Sequence, residues 1–249
     1  MTIPIRRLIV ILALLSGPVA GALPTLAADQ GKRFAAPFIG AVEATLTGSQ
    51  GMDLALDAIR GVPDQALPAF GEWFEANAHR MPTIYLFNYA NRVFPGNRPL
   101  GAQWFFAGRT RLLYDAFRCR DETVVERVAE VDAVLDKIVT YVQQNPAEGA
   151  AAGKRALEWD STNDIVENPK ALLRFCLTGV NGKRLAIEQG KPTNPTEAEG
   201  DAPPALLVPL PDVGDQSQWV VPVSEYPEAR GEAFAVTQKV IDQLEAAAR

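Results

Sequence analysis

The sequence predicts a mainly α protein, an orthogonal bundle built on one helical hairpin, with a long Pro/Gly-rich excursion before a C-terminal helix. Three observations carry that expectation. Apolar residues in the middle of the chain recur every three or four positions, the period of a helix face. Pro, Gly and Asn fall between those periodic runs rather than inside them. Alternating stretches of β-branched residues, which would mark strands, are scarce.

The first element is a leader. Arg6 and Arg7 precede an apolar run from Leu8 to Leu15, and small residues and prolines follow up to Thr25-Leu26-Ala27. This is the layout of a secretory signal peptide over residues 1–27, with cleavage after Ala27 or Ala28. The apolar run is short of the ~20 residues that span a bilayer, and no later stretch offers a span, so no integral membrane segment is expected after cleavage. No Cys follows the run as a site for lipid attachment.

The helical domain is expected over residues 28–189. FAAPFIGAVEATL reads as strand or helix. MDLALDAIRG and ALPAFGEWFEANAHR read as short helices separated by Gly61, Pro63 and Pro68. In IYLFNYANRVF, Leu86, Phe87, Ala90, Val93 and Phe94 share a face, with Asn88, Asn91 and Arg92 largely opposite. PGNRP stops this helix, and Pro99 suits the first turn of the next. So short a connection predicts antiparallel packing of the two.

The second arm of the hairpin, AQWFFAGRTRLLYDAFRCRD, mixes rings and cations. Projected at 100° per residue, Phe105, Phe106, Leu112, Leu113, Ala116 and Phe117 sweep a broad apolar arc. Arg111, Asp115 and Arg118 fall together on the opposite side, at the spacing of surface ion pairs. Arg109 projects into the apolar arc. It is expected to be a long stem that snorkels to the edge of the packing, the alternative being a buried, paired guanidinium that orders a site.

DETVVERVAEVDAVLDKIVTYVQQNP reads as one helix. Val124, Val128, Val131, Leu135, Ile138 and Val142 alternate steps of four and three, Thr123 with Glu126 suggests a capping box, and Asn145-Pro146 ends the run. Asn168-Pro169 opens a shorter helix, KALLRFCLTG, stopped at Gly179. Residues 190–218 form a Pro/Gly-rich acidic excursion. Over residues 219–249 an extended piece leads to a final helix, with Ser224 as its cap, packing on the helical domain.

Composition narrows function. The chain has 24 basic and 30 acidic residues. Without Arg6 and Arg7 the balance is 22 against 30, a net charge of −8. An acidic export product is a poor match for a nucleic-acid backbone, so no nucleic-acid partner is expected. Cys119 and Cys176 lie 57 positions apart. In an oxidising compartment they read as one disulfide, the alternative being two free buried thiols. A loop of that length would bring at most roughly 4 kcal/mol through chain entropy.

Catalytic patterns are sparse. His79 is the one histidine, so no paired-His zinc site exists, and no CxxC, P-loop, GxGxxG or GxSxG occurs; TGSQG near Ser49 has the wrong spacing. No metal or other cofactor is expected. His79, placed before Met81-Pro82, reads as a helix-end residue. GNRPLG resembles an anion-binding turn but is accounted for as the hairpin connection. Glu158 and Asp160 flank Trp159 in LEWDSTND; paired carboxylates beside an aromatic suit sugar cleavage, whereas the Ser-Thr-Asn that follows suits a helix end.

Ala90, Gly96, Ala102, Trp104, Phe105, Ala107 and Gly108 stand where the paired-helix hairpins of tetratricopeptide and Sel1-type repeats carry their small residues, turn and A-x-W-F-x-x-A-G pattern. The hairpin resembles those repeats, although one hairpin is not an array. The words Trp104-Phe105-Phe106-Ala107-Gly108, followed downstream by a Cys, resemble more closely a family of secreted helical proteins of Gram-negative bacteria with a WFYAGQLR-like helix. Arg109 and Thr110 depart from that pattern. The resemblance implies a periplasmic or secreted helical protein. Exported helical proteins of this size include immunity proteins, an analogy of build and compartment. Two functions stay open: a non-catalytic protein that binds another protein, as an immunity factor or envelope adaptor, and a cell-wall hydrolase using carboxylates. For the first, Arg109, Arg111, Asp115, Arg118 and Trp159 are the candidate partner-binding residues.

Overall fold

The computed structural model describes residues 23–48, 51–189, 211 and 213–249. Among these the chain is mainly α, as the periodicity predicts. Eleven α-helices are joined by short turns and one isolated bridge, Cys119 to Val220. The leader expected over residues 1–27 lies, up to residue 22, outside the described residues. So do residues 190–210 and 212 of the expected excursion; its end, Gln216–Gln218, is a 3-10 turn.

The segment that read as strand or helix is helix α1, Leu23–Leu46. Helices α2, Met52–Gly61, and α3, Leu67–Asn77, follow at the expected places, and α1 packs on both. Helices α4, Thr83–Val93, and α5, Arg98–Phe117, form the hairpin. The Asn97 side chain caps α5 by accepting from the Leu100 N–H at 3.2 Å. The two arms approach closely at glycines. A methyl group on Gly101 would stand 2.8 Å from Phe94 Cα, and one on Gly108 2.8 Å from the Phe87 ring. Position 101 opposes 94 while 108 opposes 87, so the helices run antiparallel.

The expected single helix after Asp121 is a 3-10 turn, Glu122–Val125, then α6, Glu126–Val134, and α7, Asp136–Gln144. The chain turns at Leu135, whose φ of −101° and ψ of 32° leave the helical region. Leu135 is buried while the neighbouring Val134 is 80 % exposed, so the turn keeps the apolar stripe on the body as its direction changes. The Thr123–Glu126 capping box is not made. Asp121 takes that role, accepting from both the N–H and the hydroxyl of Thr123.

Helix α8, Pro146–Thr162, crosses α5 and runs antiparallel to the C-terminal helix α11, Tyr226–Ala247. Gly149 faces Leu244 and Gly153 faces Ile241, again at distances that no Cβ tolerates without movement. Between α8 and α11 come α9, Pro169–Cys176, and α10, Val180–Glu188. Asn168 caps α9 as expected. Helix α9 ends just before Gly179, and Gly179 is the N-cap of α10, a further helix not expected from the sequence. Ser224 is not the cap of α11; it lies within a 3-10 turn, Val223–Glu225, and α11 begins after it.

Helix α5 is the centre, touching α4, α6, α7, α8, α9 and α11. Trp104 is buried beneath Phe74, Tyr89 and Trp159, with ring centroids 5.0–5.7 Å away and edge-to-face geometry. Gly71 makes room for this cluster, since a Cβ there would meet the Tyr89 hydroxyl at 2.6 Å. Burial raises the Tyr89 pKa.

Gly101 supplies a test by sign. In an open helix Gly→Ala stabilises by roughly 0.5–1 kcal/mol. Gly101→Ala should instead destabilise by about 1–3 kcal/mol, because the added carbon meets the backbone of Phe94, the C-cap of α4. Urea unfolding measures it, and a gain in stability would show that the hairpin arms are not in this close contact.

Candidate functional site

The most concentrated chemistry lies along one side of α5, where Arg111, Asp115 and Arg118 follow one another at steps of four and three. The projection grouped these residues correctly and placed them wrongly. They were expected on a solvated face, yet the Arg111 and Arg118 side chains are each only 3 % exposed. The reason is the number of neighbours. A projection gives the angle of each side chain but not how much of the circumference other helices occupy, and α5 is surrounded.

Each buried cation is therefore answered inside the fold. Arg111 Nε donates to Asp160 Oδ1 of α8 at 3.0 Å, and Nη1 donates to the Ala78 carbonyl at 2.8 Å. Its guanidinium carbon stands 4.6 Å from the centre of the Trp159 ring. Asp160 also accepts from Arg230 of α11, which donates further to the carbonyls of Asp160 and Asn163. One carboxylate thus draws cations from two helices. Burial lowers the Arg111 pKa, with Asp160 acting in the opposite sense.

Arg118 forms the second knot. It donates to Asp115 on its own helix and to Glu167, and lies over the rings of Tyr114 and Tyr226, 3.8 and 4.8 Å from their centres. Asp115 also accepts from the Thr83 hydroxyl at the start of α4, at 2.8 Å, and Glu167 from the Tyr114 phenol at 2.9 Å. Burial opposes the charge of Arg118, but Asp115 and Glu167 outweigh it and raise its pKa. Burial raises that of Asp115 against the pull of Arg118 and Thr83. Arg111 Nη2 and Arg118 Nε have no hydrogen-bond acceptor among the described residues. The ring faces over which both guanidiniums lie supply negative potential in its place.

Glu167 belongs to residues 163–168, an irregular strap between α8 and α9. Val166 N–H donates to the His79 carbonyl at 3.1 Å, Ile165 packs on the core, and Glu167 holds Arg118. The strap covers the polar seam. Four of the five sequence candidates, Arg111, Asp115, Arg118 and Trp159, thus come together, but in an interior seam. Arg109 stands apart. Instead of snorkelling, it donates from Nε to both oxygens of Asp132 on α6, at 3.2 Å each, with its side chain 19 % exposed. Glu167, Arg230, Thr83, Tyr114 and Tyr226 escape sequence reasoning because each is distant in sequence or lies outside a periodic stripe.

The arrangement ties helices together and offers little for bond cleavage. Asp160 is held between guanidiniums, while Glu158, two positions earlier on α8, is exposed, so the two carboxylates do not face a common substrate position. Among the described residues no three His, Cys, Asp or Glu side chains stand close enough to hold a metal ion, and no helix is long and apolar enough to cross a membrane. A cleft of about 310 Å³ lies elsewhere, beside the disulfide, between Arg120, Asn181, Arg184 and Trp219. No protein-family model, curated protein or solved structure matches the chain.

The second knot predicts a graded response to urea. Arg118→Ala strands Asp115 and Glu167 and should cost on the order of 3–5 kcal/mol. Glu167→Gln keeps an acceptor at a partly exposed position and should cost less than about 1 kcal/mol. Equal, small losses for both would place Arg118 in solvent.

Proposed function

We propose that this chain is a non-catalytic helical protein of the periplasm or the secreted fraction whose role is to bind another protein, as an immunity factor or envelope adaptor does. The observation that carries the reading is the fate of the charged seam. Its guanidiniums and carboxylates are spent on one another and on aromatic rings, which gives a rigid body rather than a set of groups free to act on a substrate. The basic, apolar and small-residue sequence of the leader supports export. The outer surface fits a docking role. Val134, Val223 and Ile187 are 80, 73 and 62 % exposed, and the acidic net charge favours a partner with a basic face.

The test uses the full chain exported in a Gram-negative cell, with a photoreactive residue placed at Val134, Val223 or Ile187. A role in protein binding predicts one discrete adduct of fixed mass from at least one position, lost when the partner gene is deleted. Absence of an adduct at all three positions, with the chain purified alone and monomeric from the same cells, would contradict it.

A further inference from the structure

The fold is held by two apolar clusters of very different size. The main core draws buried residues from α1–α8 and α11, and none from α9 or α10. The second consists of Ala116, Cys119, Val124, Leu172 and Cys176, so two of its five buried members are the halves of the disulfide. Cys119 and Cys176 are bonded, their Cα atoms 5.2 Å apart, as the pair of cysteines suggests. Beyond that bond, Leu172 is buried in the second cluster and Phe175 packs against the edge of both clusters, and α9 and α10 are joined to α6 and the segment that follows Cys119 by polar contacts. Arg127 donates to the Thr178 carbonyl at 2.7 Å. The Val180 N–H donates to Thr123 Oγ1 and the Asn181 N–H to Asp121 Oδ2, at 2.9 and 2.8 Å.

The chain returning toward α11 fastens at the same place. Arg120 N–H donates to the Trp219 carbonyl at 3.0 Å, and Val221 N–H to the Arg118 carbonyl at 2.9 Å. Arg120 Nε donates to the Ser217 carbonyl at 2.7 Å, and Trp219 and Val220 pack on the second cluster. The cleft beside the disulfide has walls from all three pieces: Asn181 and Arg184 from α10, Arg120 and Asp121 next to Cys119, and Trp219 from the return segment.

We infer that the Cys119–Cys176 bond is a redox latch: it seats α9, α10 and the 217–221 segment on the end of α5 and so assembles this cleft, while the main bundle stands without it. Opening needs a dithiol reductant. One reductant thiolate attacks one sulfur of the bond and the other cysteine leaves as a thiolate that takes a proton. The second reductant thiolate then displaces the first cysteine, likewise protonated, and the reductant becomes a disulfide. The two electrons gained by the protein are those lost by the dithiol. The bond is buried, so attack proceeds through local opening of the second cluster, which is much smaller than the main core.

Hydrogen exchange read by mass spectrometry tests the latch on the full chain, oxidised, reduced with dithiothreitol, and as the Cys119→Ser/Cys176→Ser variant. The latch predicts that both thiols are freed without denaturant. Amides of α9, α10 and residues 217–221 should then exchange about tenfold or more faster, with α4, α8 and α11 within about twofold of the oxidised protein. A rise spread through α4, α8 and α11 would make the bond a staple of the whole fold and overturn the proposal. No rise in α9 and α10, in the reduced chain or the variant, would show that packing alone holds them. Failure of dithiothreitol to free the thiols would show that the bond does not open in the folded protein.

Discussion

A buried guanidinium has to be paired where it stands, and Arg111 stands where α5, α8 and α11 meet. Leaving such a charge unpaired costs several kcal/mol, so the position of every neighbour follows from it. Asp160 must face inward from α8, and Arg230 closes on the same carboxylate from α11. Trp159 lies against the cation and also against Trp104, so the ion pair and the aromatic core share a wall. Arg118 repeats the arrangement one turn and three residues later, with Asp115 and Glu167. Together the two knots fix which ends of the helices come together, a form of directionality that apolar contact alone does not supply.

Enclosing α5 on all sides also needs space. Gly101 and Gly108 admit α4, and Gly149 and Gly153 on α8 admit Val142 of α7 and the side chains of α11. Where these helices come close, Thr110 of α5 and Thr237 of α11, both buried, share one hydroxyl hydrogen bond at 2.9 Å, and Thr110 also donates to the Phe106 carbonyl. At the centre of the seam Arg111 and Asp160 are only 3 and 2 % exposed, while Glu167 and Arg230 reach its rim. So the central charges have to be answered by one another, and these residues hold helices together.

Much of this was legible in the sequence. The turn Pro95–Pro99, the cap at Asn168 and the period of α4 each come from local chemistry, and each stands where that chemistry puts it. The shared side of Arg111, Asp115 and Arg118 was also legible, because helical geometry fixes angles. What was hidden is what depends on contacts far along the chain. No local signal says that a helix of 20 residues is surrounded, so charges that look solvated can be buried. The break at Leu135 has no Gly or Pro to announce it; packing overrides a pattern that continues unbroken. Arg230 is 70 positions from the Asp160 it binds. The strap carries Glu167 in a stretch with no period at all.

The central claim is that Arg111 and Asp160 form an interior pair on which the bundle depends. A double-mutant cycle of Arg111→Met and Asp160→Leu, read by chemical denaturation, tests it most directly. Each single change should cost about 3–5 kcal/mol, because each leaves a buried charge without its partner. The double variant should cost far less than the sum, since apolar groups then replace both charges. Single losses below about 1 kcal/mol that simply add would place the pair at the surface and contradict the account.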